Sequence, residues 1–220
     1  MDVEALNDRL AREHPINDYY AKSPWPIRFV ENRRLRIIRD LIGDADLLEV
    51  AEIGSGGGHV LRMFPRSRLT AIDVSDVYIE TARQNLTGYD VRFLKGEVHT
   101  LDLSDESFDR IICTEVLEHV VDSEAVLAAM ARLVRPSGTV VVTIPNDPLI
   151  LKVKKAIRYS PLRWLLGESV EWGGDRYHLH RWTPREFERL LGLHFRVVER
   201  RFAPFSLLRI RSCFKCTPRA

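Results

Sequence analysis

Apolar residues along the chain follow two different spacings. At Ile27, Val30, Ile37, Ile38, Leu41 and Ile42 they recur three and four apart, which puts one side of a helix against a core. This predicts a helix closing at Gly43. An earlier amphipathic stretch, with Val3, Leu6 and Leu10 on one face, ends near His14-Pro15, and turn-rich residues 17–26 separate the two. From there on, short β-rich runs take over: LLEVAEIG (47–54), RLTAIDV (68–74), VRFLK (91–95), FDRIICTEV (108–116) and TVVVTIP (139–145). Between them lie helical patterns at His59–Phe64, Ser75–Leu86 and Ser123–Val134.

Strand alternating with helix predicts a parallel sheet covered on both faces, because parallel neighbours need crossover connections. After Pro145 the rhythm breaks. Residues 146–182 hold a basic, apolar segment, LKVKKAIRYSPLRWLL, that fits neither a core strand nor a simple turn, and it reads as an insert or lid. Thr183-Pro184-Arg185-Glu186 is a capping box with proline in the first turn, so a helix runs from there to about Leu191. FRVVERRF and SLLRIRSCF can then close the sheet as an antiparallel pair. The expected fold class is α/β: one domain with a doubly wound, mostly parallel seven-stranded sheet. Its parts are a helical N-terminal extension (1–45), a ligand-binding core (46–145), the insert (146–182) and a closing helix and strands (183–220).

Two hundred and twenty residues, 45% hydrophobic and 29% charged, are enough for a full core and exclude a disordered tail or a fibre. Apolar runs stay shorter than a membrane span needs. The start MDVEALNDRLAREHP carries acids where a signal peptide carries bases, so a cytoplasmic location is expected. Cys113, Cys213 and Cys216 do not make a disulfide framework and read as reduced thiols. Charge is unevenly spread: residues 150–220 hold 16 Lys/Arg against 6 Asp/Glu. A basic tail on an acidic body suits an anionic partner, or is simply a solvated face.

The sharpest chemical signal is Glu52-Ile53-Gly54-Ser55-Gly56-Gly57-Gly58, where a buried first strand turns towards a helix. Glycines there let backbone approach a ligand, and a helix amino end adds free N–H donors. Dinucleotide sites use Gly-x-Gly-x-x-Gly, whereas this spacing is Gly-x-Gly-x-Gly. Asp73 ends the second strand about 20 residues later, where a carboxylate can accept both hydroxyls of a ribose. The plain alternatives are a tight turn at 56–58 and a helix cap at Asp73.

At these residues the chain resembles the class I S-adenosylmethionine-dependent methyltransferases, over roughly residues 35–200. The resemblance implies S-adenosyl-L-methionine as cofactor. It places Gly54, Ser55, Gly56 and Gly58 along the methionine part, Glu52 near its amino group, Asp73 and Val74 at the ribose, and Glu97-Val98 at the adenine. The family often has Asp where Glu97 stands, and a surface acid is the alternative there.

Cys113-Thr114-Glu115-Val116-Leu117-Glu118-His119-Val120 follows the fourth strand, at the rim where open parallel sheets bind ligands. If the stretch turns helically, Glu115, Glu118 and His119 share one face. With His178 from Asp175–Trp182 they would suit a divalent cation, magnesium or manganese. This pattern resembles two metal-assisted branches of the family, the small-RNA 2′-O-methyltransferases and the ubiquinone-biosynthesis O-methyltransferases. Without a metal, the resemblance implies that Glu115 lines the cofactor pocket and His119 packs or caps, and His119 or His178 is then the candidate general base.

The expected acceptor is a small or lipid-like molecule methylated on oxygen. The turn after strand four lacks the Asn/Asp-Pro-Pro-Tyr of many nitrogen methylators, and Cys113 is expected to point into the sheet rather than attack a pyrimidine. Residues 149–166, basic and apolar with Trp164, suit a lid helix or peripheral contact with a membrane. Nucleic acid fits less well, because the chain has no separate RNA-binding module. Tyr19, Tyr20 and Trp25 are candidates to close over the cofactor. A silent cofactor-binding scaffold is the remaining alternative.

Overall fold

The computed structural model describes residues 8, 9, 11–13, 16, 17, 22–160 and 177–219. Helix α1 (Trp25–Ile42) leads into β1 (Glu49–Ile53), β2 (Arg68–Asp73), α2 (Asp76–Asn85), β3 (Val91–Lys95) and β4 (Phe108–Thr114). Then come α3 (Ser123–Leu133), β5 (Val134–Pro145), α4 (Asp147–Arg158), α5 (Pro184–His194), β6 (Phe195–Pro204) and β7 (Arg209–Pro218). The seven strands form one sheet in the order β3-β2-β1-β4-β5-β7-β6. β1 to β5 pair in parallel, and β7 runs antiparallel between β5 and β6.

The period-two rule divides the core between the two faces. Ala51, Ile53, Ile111, Cys113, Val140 and Val142 face a layer that includes Leu127 and Met130 of α3 and Phe187 and Leu191 of α5. The intervening Val50, Ile112 and Val141 face Ile37, Ile38 and Leu41 of α1. Burial on both faces explains why these strands are continuous apolar runs. Cys213 lies on the α1 side and Cys216 on the other. All three cysteines are free, and burial pushes the Cys213 and Cys216 thiols up to about 12.

Two expectations change. The helix at His59–Phe64 is a single 3-10 turn, Leu61–Met63, because Gly58 and Pro65 leave room for no more. The start of the supposed insert is regular: Asp147–Arg158 forms α4, with Asp147 in its first turn and Lys155 and Arg158 in its last, as the helix dipole favours. Asn146-Asp147-Pro148 carried that signal as a helix start, with the Leu149 N–H donating to Asn146 Oδ1 at 3.3 Å. The rest of the insert, 161–176 with Trp164, lies outside the described residues, as do Tyr19, Tyr20 and the apolar face of Val3, Leu6 and Leu10. The capping box at Thr183 and Glu186 is present. No described helix is long and apolar enough to cross a membrane.

Candidate active site

The glycine loop lies at the carboxyl end of β1, against the turn that follows β4. Gly54 has φ +67°, and a β-carbon there would stand 2.2 Å from Val116 Cγ2. Gly58 has φ +73°, and its β-carbon would meet Leu86 at 2.7 Å. These two glycines answer to conformation and to space at once. Ile16 lies over the loop, 3.2 Å from a β-carbon built on Gly56, and Asn85 Nδ2 donates to Gly57 O at 2.8 Å and to Asn17 Oδ1 at 2.9 Å. Among the described N-terminal residues Ile16 lies on the loop, whereas Trp25 stands 74% exposed at the start of α1.

Asp73 accepts from the Gly56 N–H at 2.8 Å through Oδ2 and from the Ser75 N–H at 3.0 Å through Oδ1. Its carboxylate thus ties the glycine loop to the end of β2, while the cap of α2 is Ser75. Burial raises the Asp73 pKa, helped by the charge of Asp8, against the backbone donors that lower it. Asp8 itself receives the Ser75 hydroxyl at 2.5 Å. Glu52 is fully buried in β1, and its Oε2 has no hydrogen-bond partner among the described residues. Burial pushes its pKa well above the ordinary carboxylate range, opposed by the charge of Arg34. Ser55 is buried, Val74 half-buried and Val98 buried, whereas Glu97 is exposed and pairs with His99 at 3.1 Å.

The turn after β4 is not helical, so Glu115 does not share a face with Glu118 and His119. Glu115 has φ +56°, and its side chain enters a closed ring of polar contacts. Thr143 Oγ1 donates to Glu115 Oε1 at 3.0 Å, and Arg211 pairs with Glu115 at 2.9 Å and with Glu31 at 3.1 Å. Arg34 pairs with Glu31 at 2.8 Å and reaches Thr143 Oγ1 at 3.4 Å. This ring was not anticipated from the sequence, because its members lie on α1, β5, β7 and the turn, far apart along the chain.

Glu118 is buried, and neither carboxylate oxygen has a hydrogen-bond partner from another described residue. Burial, then the charge of Glu115, holds its pKa well above the usual range. Its backbone carbonyl accepts from the Leu179 N–H at 2.8 Å and the His180 N–H at 3.2 Å, which docks residues 177–180 on the turn. That docking brings His178 to His119, ring centroids 4.7 Å apart. Ligand atoms of Glu118, His119 and His178 all lie within 4.8 Å of one another. His178 Nδ1 lies 2.6 Å from Asp147 Oδ2, and His119 Nδ1 lies 3.2 Å from Tyr177 O. In the tautomer that donates from Nδ1 to these acceptors, Nε2 is the nitrogen that can accept a proton or bind a metal. Asp147 is the residue sequence reasoning missed, and its place in the Asn-Asp-Pro helix start was the available clue.

A mostly parallel seven-stranded sheet with a reversed β7, a glycine loop after β1 and an acid closing β2 define the class I S-adenosylmethionine-dependent methyltransferase fold. Residues 51–142 match the methyltransferase domain family. The chain thus has the Rossmann-like methyltransferase fold, with its central part similar to that domain family. It is 29% identical over 126 residues to a ubiquinone biosynthesis O-methyltransferase of Alkalilimnicola ehrlichii, covering 55% of this chain and 51% of that one. A namesake from Neisseria meningitidis is 32% identical over 134 residues, 54% of this chain and 56% of that one. The chain spans about half the length of these curated relatives. The N-methyltransferase NodS of Bradyrhizobium japonicum, solved with S-adenosyl-L-homocysteine, superposes with a TM-score of 0.70 over 100% of both chains at 19% identity.

Proposed function

We propose that the chain binds S-adenosylmethionine along the glycine loop and passes its methyl group to an oxygen of a small or amphipathic acceptor. The observation that carries this reading is the buried Oε2 of Glu52, without a hydrogen-bond partner among the described residues, at the end of β1 where the chain enters the left-handed glycine loop. A buried carboxylate oxygen without a donor costs free energy that a ligand ammonium recovers. The cofactor supplies an electrophilic methyl on a sulfonium. Glu52 receives the ammonium, Gly54, Ser55, Gly56 and Gly58 give it passage, Asp73 and Val74 hold the ribose, and Val98 with Glu97 flanks the base. Glu115 serves through the ring, fixing the turn against Gly54.

On the acceptor side, His178 takes the hydroxyl proton at Nε2 while Asp147 orients its ring. The same cluster offers a second arrangement, in which Glu118, His119 and His178 hold a divalent cation that lowers the hydroxyl pKa. One carboxylate and two imidazoles suit manganese better than magnesium. Chelation separates the two. If the cluster is metal-loaded, excess chelator abolishes label transfer from S-adenosylmethionine, manganese restores it and S-adenosylhomocysteine affinity stays unchanged. Full transfer in chelator assigns the proton to His178.

Calorimetry with S-adenosylhomocysteine and with NAD tests the cofactor; binding of NAD alone would overturn the proposal. Cofactor binding without label transfer into any cell-extract fraction would leave a scaffold. Glu52 also sets a pH dependence. Its folded pKa is raised, so it holds a proton at low pH and must release it to receive an ammonium. Affinity for S-adenosylhomocysteine should therefore rise with pH through the folded pKa of Glu52, with a proton released on binding. Glu52→Gln should flatten that slope and cost about 2 kcal/mol of binding, roughly thirtyfold; calorimetry across pH checks both.

A further inference from the structure

The β6–β7 connection, Phe205-Ser206-Leu207-Leu208, projects apolar side chains into solvent. Leu207 is 99% exposed and Phe205 55%. The start of α1 adds Trp25 and Phe29, also exposed, and the rings of Phe29 and Phe205 meet at 5.8 Å. Two elements distant in sequence thus present one aromatic and leucine patch. Isolated exposed apolar residues are ordinary, whereas a contiguous cluster at a projecting tip marks a contact surface.

Charge is arranged around the patch with one sign. Trp25, Phe29 and Arg33 stand four apart on one stripe of α1, and Arg36 continues it, with Arg33 and Arg36 exposed. Arg209, exposed, closes the loop, its guanidinium 4.5 Å from the Phe202 ring centre. The two carboxylates of α1 are occupied: Glu31 is buried in the ring with Arg34 and Arg211, and Asp40 pairs with Arg201 at 3.2 Å. Among the described residues, the patch is therefore an apolar tip backed by cations without a paired carboxylate.

We infer that this tip, Trp25, Phe29 and Phe205–Leu208 backed by Arg33, Arg36 and Arg209, docks the protein on an anionic phospholipid surface. A convex tip fits a soft, deformable partner, where apolar side chains enter the acyl boundary and the cations stay at the headgroups. The placement also suits the proposed reaction. The Asn146 N–H, just past β5, donates to Ile210 O at 2.9 Å, so the tip sits at the same carboxyl rim of the sheet as the glycine loop. An amphipathic acceptor leaving the bilayer would meet the site on that edge. The docking is distinct from any role of residues 149–166 and does not depend on methyl transfer.

Co-sedimentation of the full chain with vesicles tests it. Binding is expected to vesicles of phosphatidylcholine with phosphatidylglycerol, to be weak with phosphatidylcholine alone, and to fall with salt. Leu207→Ser with Phe205→Ser should lower partitioning at least tenfold, and Arg33→Gln with Arg36→Gln roughly fivefold per charge removed, on the anionic vesicles only. S-adenosylhomocysteine binding, measured alongside, should match wild type in all variants, which keeps a failed fold or failed cofactor site apart from a failed docking surface. Three results would overturn the inference: no vesicle binding by wild type, binding unaffected by the Leu207 and Phe205 changes, or a dimer by light scattering that those changes dissolve.

Discussion

Gly54→Ala is expected to abolish S-adenosylhomocysteine binding and to lower unfolding free energy by about 3 kcal/mol, the sum of left-handed backbone strain and overpacking. The backbone there stands at φ +67°, and the new methyl would lie 2.2 Å from Val116 Cγ2. Relief requires either the loop or the β4 turn to move. Both motions reach the site, because Val116 lies between Glu115, held in the polar ring, and Glu118, which carries the backbone docking of 177–180. The control is Gly192→Ala in α5, where a β-carbon meets nothing within 4 Å. That change should leave binding intact and stabilise the helix by up to about 1 kcal/mol. Denaturant unfolding and calorimetry on the two variants check the contrast; equal behaviour would mean that the loop adapts.

Legibility in the sequence followed the range of the interactions. The strands were readable because their burial on both faces leaves unbroken apolar runs, and the Thr183 helix because a capping box is local. Asp73 was readable as well, since its place as the last residue of β2 follows from strand length alone. The Glu115–Glu118–His119 spacing misled on one residue. Three residues at helical intervals share a face only if the backbone is helical, and the positive φ of Glu115 turns its side chain away towards Arg211. Nothing local announces such a φ in a glutamate. It is stabilised by partners from residues 31, 34, 143 and 211, which adjacent sequence cannot reveal. Asp147 behind His178 belongs to the same category: 31 residues separate the pair, and only the docking of 177–180 on the turn closes the gap.

Arg211→Met tests that long-range ring. Arg211 stands between Glu31 and Glu115, and removing it leaves two carboxylates with one guanidinium, Arg34, for compensation. Breaking a buried ion pair from one side costs about 3–5 kcal/mol, because the remaining charge stays desolvated. Arg211→Lys should recover only part, since an ammonium cannot bridge two carboxylates as a guanidinium fork does. The pH dependence fixes the sign. Burial raises the Glu31 pKa, but Arg34 and Arg211 together outweigh it and hold it below the ordinary value. A depressed carboxyl stabilises the fold above its unfolded pKa, and that contribution is lost as pH falls through the folded one. In Arg211→Met the depression shrinks, so the acid limb of the stability profile should move to higher pH. Combining Arg211→Met with Glu31→Gln removes one orphaned charge, and the double variant should be more stable than the two single costs predict, by about 1–3 kcal/mol. Freed from Arg211, Glu115 has less to hold it at positive φ. The turn then relaxes away from Gly54, and S-adenosylhomocysteine affinity should fall although Arg211 is not assigned to the cofactor. A stability within about 0.5 kcal/mol of wild type, as ordinary surface changes give, would show the ring to be a solvated contact rather than the clamp on the turn.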